Sequence, residues 1–456
     1  MMNKLDKAAG YFEKLFWLFL FINPLLDIIN GMYIMLVRNI GVLDVEYINT
    51  LGVTPSLVVR MIMLVFFALY ILIIRDKKSI LTDIPMGMAW VLSVVSEYMS
   101  LGKAEFFLDA QYMARFCFNI VVLMVYTRVF ALRFGDDKDA LLRKINRILA
   151  LSLGVLAVFV IVPSVLGMGY STYADRLGYR GSRGFFYAGN DITAIMSLLF
   201  PICLAAALKC DFKADRGTLI LQACAIALGV NAMLIIGSKT AFLSCAATAA
   251  IMFCAAAFFA LKEKKSAYIV NYIIAAAAVG VVFLILNFIS GFQMASTVSE
   301  SITATEVRVE TEGTGSAMLH GRGSKLDEQL AMYLDGGIFV WLFGLGRGSL
   351  TTILEMDVFE VLFYYGIFGF CAMMWLYVKV ALQFFIGFFK NFDVTACALF
   401  AALGLCAGYL FIAGHVLFSV TSGFYFALTI VYSRLYFAKT SGDVLLFKKK
   451  KSAVNV

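Results

Sequence analysis

Histidine occurs twice and proline five times in 456 residues, and charged side chains make up only 15% of the chain. The nine cysteines all fall in or beside apolar runs, so with so few histidines there is no metal-ligand spacing and no external disulfide framework. The shortage of charge, set against 62% hydrophobic residues, excludes a soluble globular surface and identifies a polytopic membrane protein. No Ala-x-Ala site follows the first apolar run, which is therefore expected to serve as an uncleaved first span. The net charge of +8 follows from a basic bias on one membrane face, where anionic lipid is a sufficient partner, and nothing argues for nucleic acid.

What is present is apolar sequence long enough to cross a hydrocarbon core of about 30 Å. Such runs occur near 12–36, 56–74, 84–101, 106–131, 146–168, 189–208, 218–236, 240–261, 268–289, 358–386, 394–414 and 417–437. They predict an all-α, polytopic membrane helical bundle of about twelve spans. One large external loop, 290–357, separates the first nine spans (1–289) from the last three (358–437), and a basic tail closes the chain at 438–456. With a cytoplasmic N-terminus, one face collects Lys4, Lys7, Lys14, Arg75, Lys77, Lys78, the group from Arg128 to Arg147, Lys209, Lys213, Arg216, Lys262, Lys264, Lys265 and the closing Lys448–Lys451. Both termini are then cytoplasmic.

Basic residues on the other face run against that bias. Arg176 and Arg180 precede the glycine-rich 181–184 segment and Arg183 lies within it, and Arg308, Arg322, Lys325 and Arg347 lie in the long loop; Lys239 sits at an outer turn. A single arginine there is ordinary solvated charge, but three within eight residues point to an anion site, because arginine forks match phosphate oxygens. Within the spans, Asn23, Asp27 and Asn30 share one face of the first helix, and Asp27 falls at the depth of Arg115 in the fourth. They could pair, either to lock two helices or to serve chemistry.

The stretch from His320 to Phe370 concentrates the polar chemistry. A helix from Ser324 places Leu326, Leu330, Tyr333 and Leu334 on one stripe, as expected of a helix resting on a bilayer. Gly344-Leu345-Gly346-Arg347-Gly348 reads as a flexible, phosphate-compatible turn with one fixed cation, and Asp357 and Glu360 open the next apolar helix, where capping alone would explain them. Residues 296–316, rich in Ser, Thr, Glu and Gly without periodicity, are expected to be mobile.

Ser182-Arg183-Gly184-Phe185-Phe186 with Asn190-Asp191, Gly237-Ser238-Lys239-Thr240, Gly321-Arg322-Gly323, and Phe343-Gly344-Leu345-Gly346 followed by Gly366-Ile367-Phe368-Gly369 occur in that order. In this order and placement the chain resembles the O-antigen ligase and polymerase superfamily of bacterial envelope glycosyltransferases. The resemblance implies a cofactor-free, metal-independent enzyme of the bacterial cytoplasmic membrane. It would move a glycan from a polyprenyl diphosphate carrier to a glycan or lipid acceptor. Arg183 and Arg322, with Arg180, Lys239 and Arg347, would hold the diphosphate, and Asn190, Asp27 and Arg115 would support the site.

Ligases of that family carry a His-Asn pair where this chain reads Glu355-Met356-Asp357. A carboxylate, Asp357 or Glu355, is therefore expected as the base that activates the acceptor. His320 reads as solvated and His415 as structural. A transporter or flippase of lipid-linked sugars is the alternative, but it should show repeated halves, and none is visible.

Overall fold

A computed structural model describes residues 2–40, 54–135, 137–172, 181–211, 214–291, 293–319, 321–348 and 350–447. Among them the only β feature is one isolated bridge between Ser171 and Ser182. Nine long helices come first: α1 (Met2–Ile40), α2 (Pro55–Ile73), α3 (Lys77–Leu101), α4 (Phe106–Arg133), α5 (Lys138–Val165), α6 (Gly189–Leu208), α7 (Arg216–Ile236), α8 (Lys239–Glu263) and α9 (Ala267–Ile289). Then come α10 (Gln293–Leu319), α11 (Arg322–Asp335), α12 (Gly337–Phe343), α13 (Asp357–Lys390), α14 (Val394–Ile412), α15 (Ser422–Phe437) and the short α16 (Ser441–Val444).

Among the described residues eleven helices are long and apolar enough to cross a membrane. The expected twelfth span, 417–437, is only the 16-residue α15, because residues 413–421 leave the helix to form an irregular segment. The tight turns are built locally. Asp76, Asp137, Ser238 and Asp393 accept N–H groups of the first turns of α3, α5, α8 and α14, while Gly102 and Gly237 end α3 and α7 in the left-handed conformation. Pro55 opens α2 and the other four prolines lie inside helices, which a packed bundle tolerates.

α6 is the centre of the bundle, with 89% of its apolar window buried, whereas α9 at 11% is peripheral and presents its apolar surface outward. Residues 296–316, expected to be mobile, are instead part of α10, interrupted at Gly313. Val298, Ile302 and Val309 fall on one face of this helix, an apolar stripe that the Ser/Thr/Glu-rich composition masks.

α13 breaks at Gly366 (φ 65°, ψ −173°), where a Cβ would lie 2.4 Å from the Leu342 carbonyl carbon. The break frees carbonyls that a continuous helix would use, and the 344–347 turn takes them. Leu345 N–H donates to Phe363 O (2.8 Å), Gly346 N–H to Tyr364 O (3.0 Å), and Arg347 N–H to Asp109 Oδ1 (2.8 Å). This corrects the expectation of a flexible phosphate loop. Gly344 to Gly348 are all buried, and the turn is a strap across the interruption in α13.

Candidate active site

A cavity of about 270 Å³ opens where α1, α2, α4, α6 and the 413–421 segment meet. Its wall includes Asp27, Asn30, Ser56, Arg115, Tyr187, Asp191, His415, Ser419 and Thr421. Holding irregular backbone inside an apolar bundle requires every N–H and C=O to find a partner, and two buried side chains provide most of them. Asp357 accepts from His415 N (3.0 Å), Val416 N (2.7 Å) and Leu417 N (2.8 Å). Asn119 Nδ2 donates to the carbonyls of Leu417 (2.9 Å), Ser419 (3.1 Å) and Val416 (3.3 Å). Asp357, expected as a base, is thus 1% exposed with both oxygens engaged, and its position corrects that reading to an anchor of the segment bearing His415.

The same segment approaches the irregular 352–356 segment closely. Gly414 (φ 59°) lies so near Glu355 that a Cβ would come within 2.5 Å of the Glu355 carbonyl carbon. Glu355 (φ 62°) and His415 (φ 63°) both take the left-handed conformation that most side chains avoid. Glu360 Oε1 accepts the Glu355 N–H at 2.8 Å and stabilises that conformation. The result brings Glu355 Oε2 to 3.9 Å from His415 Nε2, an electrostatic contact longer than a hydrogen bond, and to 2.8 Å from Arg322 Nη2.

Arg322 arrives from α11, which docks by one face. Arg322, Lys325 and Gln329 reach Glu355, Ile353 O (3.1 Å) and Thr352 O (2.8 Å), and Tyr333 Oη donates to Trp341 O (2.7 Å). Leu330 and Leu334 remain exposed, as the stripe reading requires, but Tyr333 faces inward.

Burial works to raise the Glu355 carboxyl, but contact with His415 and the charges of Arg322 and Lys325 outweigh it and hold it near about 2 instead of 4.5. For His415, burial favours the neutral ring, while Glu355, Asp191 and Asp357 together raise it from 6.5 to about 9. The imidazole is therefore cationic at neutral pH and lies on the cavity wall.

The remaining expected residues separate into groups. Asp27 pairs with Arg60, not Arg115, through two 2.7 Å contacts, and Asn23 and Thr421 complete the Arg60 shell at 3.0–3.2 Å. Arg115 is left facing the cavity with the Tyr112 ring 5.6 Å away and, among the described residues, no ion pair. Arg183 lies over Tyr170 at 5.5 Å and beside Gly189, next to the Tyr187 wall, and burial lowers its affinity for the proton. Its loop is stitched to the turn carrying Lys239 by Ser182 N–H donating to Ile235 O (3.0 Å), though Lys239 does not line the cavity. Asn190 sits in the first turn of α6 beside Asp191, which does line it.

Arg347 is not brought to the cavity. It is 4% exposed, donates to Leu350 O (2.7 Å) and lies over the Tyr112 ring at 4.8 Å. Arg176, Arg180 and His320, and the side chain of Arg308, lie outside the described residues. Among the described residues no group of three or more His, Cys, Asp and Glu could hold a metal ion.

Three residues were not expected here. Arg60 interrupts the apolar run 56–74, and an ionisable side chain in a span was itself a signal. Asp191 lay inside a quoted motif without a role, and Ser422 Oγ lies 3.0 Å from its Oδ1 and also contacts the His415 carbonyl. His415, assigned to structure, had as its only signal its rarity beside a glycine at a helix end.

Comparison with protein families gives a match to the model described as O-antigen ligase like membrane protein, over residues 9–307 and 293–439. Comparison with curated proteins gives no match, and comparison with solved structures gives none.

Proposed function

The chain belongs to the O-antigen ligase-like membrane proteins, and from that premise we propose that it is an envelope glycosyltransferase acting on glycans carried by polyprenyl diphosphate, with polymerisation favoured over ligation. The observation that carries this reading is the Arg322–Glu355–His415 chain of charges at a cavity whose wall also holds Arg115 and Asp191. Cations and a carboxylate around one small cavity are what transfer from a diphosphate needs. The acceptor oxygen bonds to the anomeric carbon, the bond from that carbon to the diphosphate oxygen breaks with its electron pair, and the acceptor proton passes to a base.

In this reading Arg115 and cationic His415 receive the charge growing on the diphosphate, with Arg322 and Arg183 at the rim. Diphosphate is already a good leaving group and these cations neutralise it, so the reaction is written without a metal. Asp191 is the base. Glu355, whose proton affinity is too low for that task, is a positioning residue that keeps His415 protonated and Arg322 oriented. The site faces the outer side of the cytoplasmic membrane, with both termini cytoplasmic. The transporter reading gains nothing, because the interruption in α13 serves the 344–347 strap and does not line the cavity.

Purified Asp191→Asn, supplied with lipid-linked donor, should lose at least about a hundredfold in kcat with little change in donor KM. Arg115→Ala should mainly raise that KM. Near-normal turnover by Asp191→Asn sinks the base assignment. A deletion strain that keeps single glycan units but lacks long chains supports polymerisation, and one with intact chains refutes it.

A further inference from the structure

Away from this site, a second cavity of about 570 Å³ lies between α1 and α5, lined by Trp17, Leu18 and Phe21 on one side and Arg143, Lys144, Arg147 and Ile148 on the other. The three cations are exposed and weakly engaged. Arg143 reaches Asp137 only at 3.7 Å with both partners more than half exposed, Arg147 contacts Thr218 at 3.4 Å, and Lys144 Nζ stands 4.0 Å over the Trp17 ring. Arg147 lies one turn from both of the others, at i+4 from Arg143 and i+3 from Lys144, and all three line the same cavity.

Below them the groove is apolar. Leu18 and Phe21, each 54% exposed, are followed by Leu25 at 39%, one stripe of α1 at i, i+3 and i+7, while Ile148 and Leu151 continue along α5. A basic mouth over an apolar gutter, with a tryptophan between them, has the polarity profile of a phospholipid from headgroup to chain. A soluble anion would use only the upper half. We propose that this groove is a binding site for an anionic glycerophospholipid, its phosphodiester held by Arg143, Lys144 and Arg147 and one acyl chain lying along Leu18, Phe21 and Leu25.

The full chain in nanodiscs of zwitterionic lipid provides the test, with Trp17 as reporter: the emission difference between wild type and Trp17→Phe. Brominated-chain phosphatidylglycerol should quench that difference saturably, at mole fractions where brominated phosphatidylcholine does not. A cation near an anionic headgroup contributes about fivefold, so Arg143→Gln/Lys144→Gln/Arg147→Gln together should weaken the preference on the order of tenfold to a hundredfold. Equal quenching by the two lipids, or an unchanged preference in the triple variant, overturns the proposal. So does displacement of the brominated lipid by inorganic phosphate at constant ionic strength, since the groove would then recognise a free anion. Lipid adducts counted by native mass spectrometry give a readout that does not require the Trp17 variant.

Discussion

Asp357→Asn distinguishes an anchor from a catalyst. Oδ2 accepts from Val416 and Leu417 at 2.7 and 2.8 Å, and Oδ1 from His415 at 3.0 Å. An asparagine can leave its oxygen where Oδ2 was and keep two bonds, but its amide then points N–H against N–H at His415. One charge-assisted bond is lost, worth about 1.5–3 kcal/mol, and the two survivors weaken by roughly half. Relief from burying a charge offsets part of this, leaving about 2–4 kcal/mol of destabilisation. The substitution should therefore lower the unfolding midpoint in detergent and speed amide exchange at 415–417. Activity should fall only as far as His415 is displaced. An unchanged midpoint and unchanged exchange with a hundredfold loss of turnover would refute this account and return Asp357 to the chemistry.

Arg60→Ala should destabilise the fold by about 3–5 kcal/mol, because it strands the Asp27 carboxylate in a buried site. Arg115→Ala, which breaks no ion pair, should leave the unfolding midpoint nearly unchanged. The Glu355–His415 contact sets a pH window. His415 is raised from 6.5 to about 9, so its contribution to stability is complete below 6.5 and is lost as pH rises through about 9. Glu355 is lowered from 4.5 to about 2, so its contribution is present above 4.5 and is lost as pH falls through about 2. Turnover should decline along the His415 limb, and a pH–rate profile of His415→Gln should lack it. Gly414→Ala should disrupt the site, because its Cβ would sit 2.5 Å from the Glu355 backbone at a φ of +59°, whereas Gly404→Ala, with open space around it, should express and turn over normally. A cysteine at exposed Thr311 should react with an impermeant thiol reagent in intact cells; labelling only after lysis would reverse the proposed orientation.

The apolar runs by themselves determined the helical class, the positions of the long helices and the breaks near Gly102 and Ser238, because hydropathy and capping act over neighbouring residues. The charge and glycine that interrupt the greasy pattern also marked out Arg322 and Glu355, which the structure pairs at 2.8 Å. Only the tertiary structure decided which partners meet. Asp27 lies at a depth that suits Arg115, yet the rotation of α2 delivers Arg60 to it, and rotation about a helix axis is a matter of packing. The 344–348 turn could have been free to take a phosphate until the interruption at Gly366 offered it carbonyls 18 residues away. Glu355 and His415 are 60 residues apart, and a glycine at 414 with no Cβ to hold the two backbones apart is what lets their side chains meet.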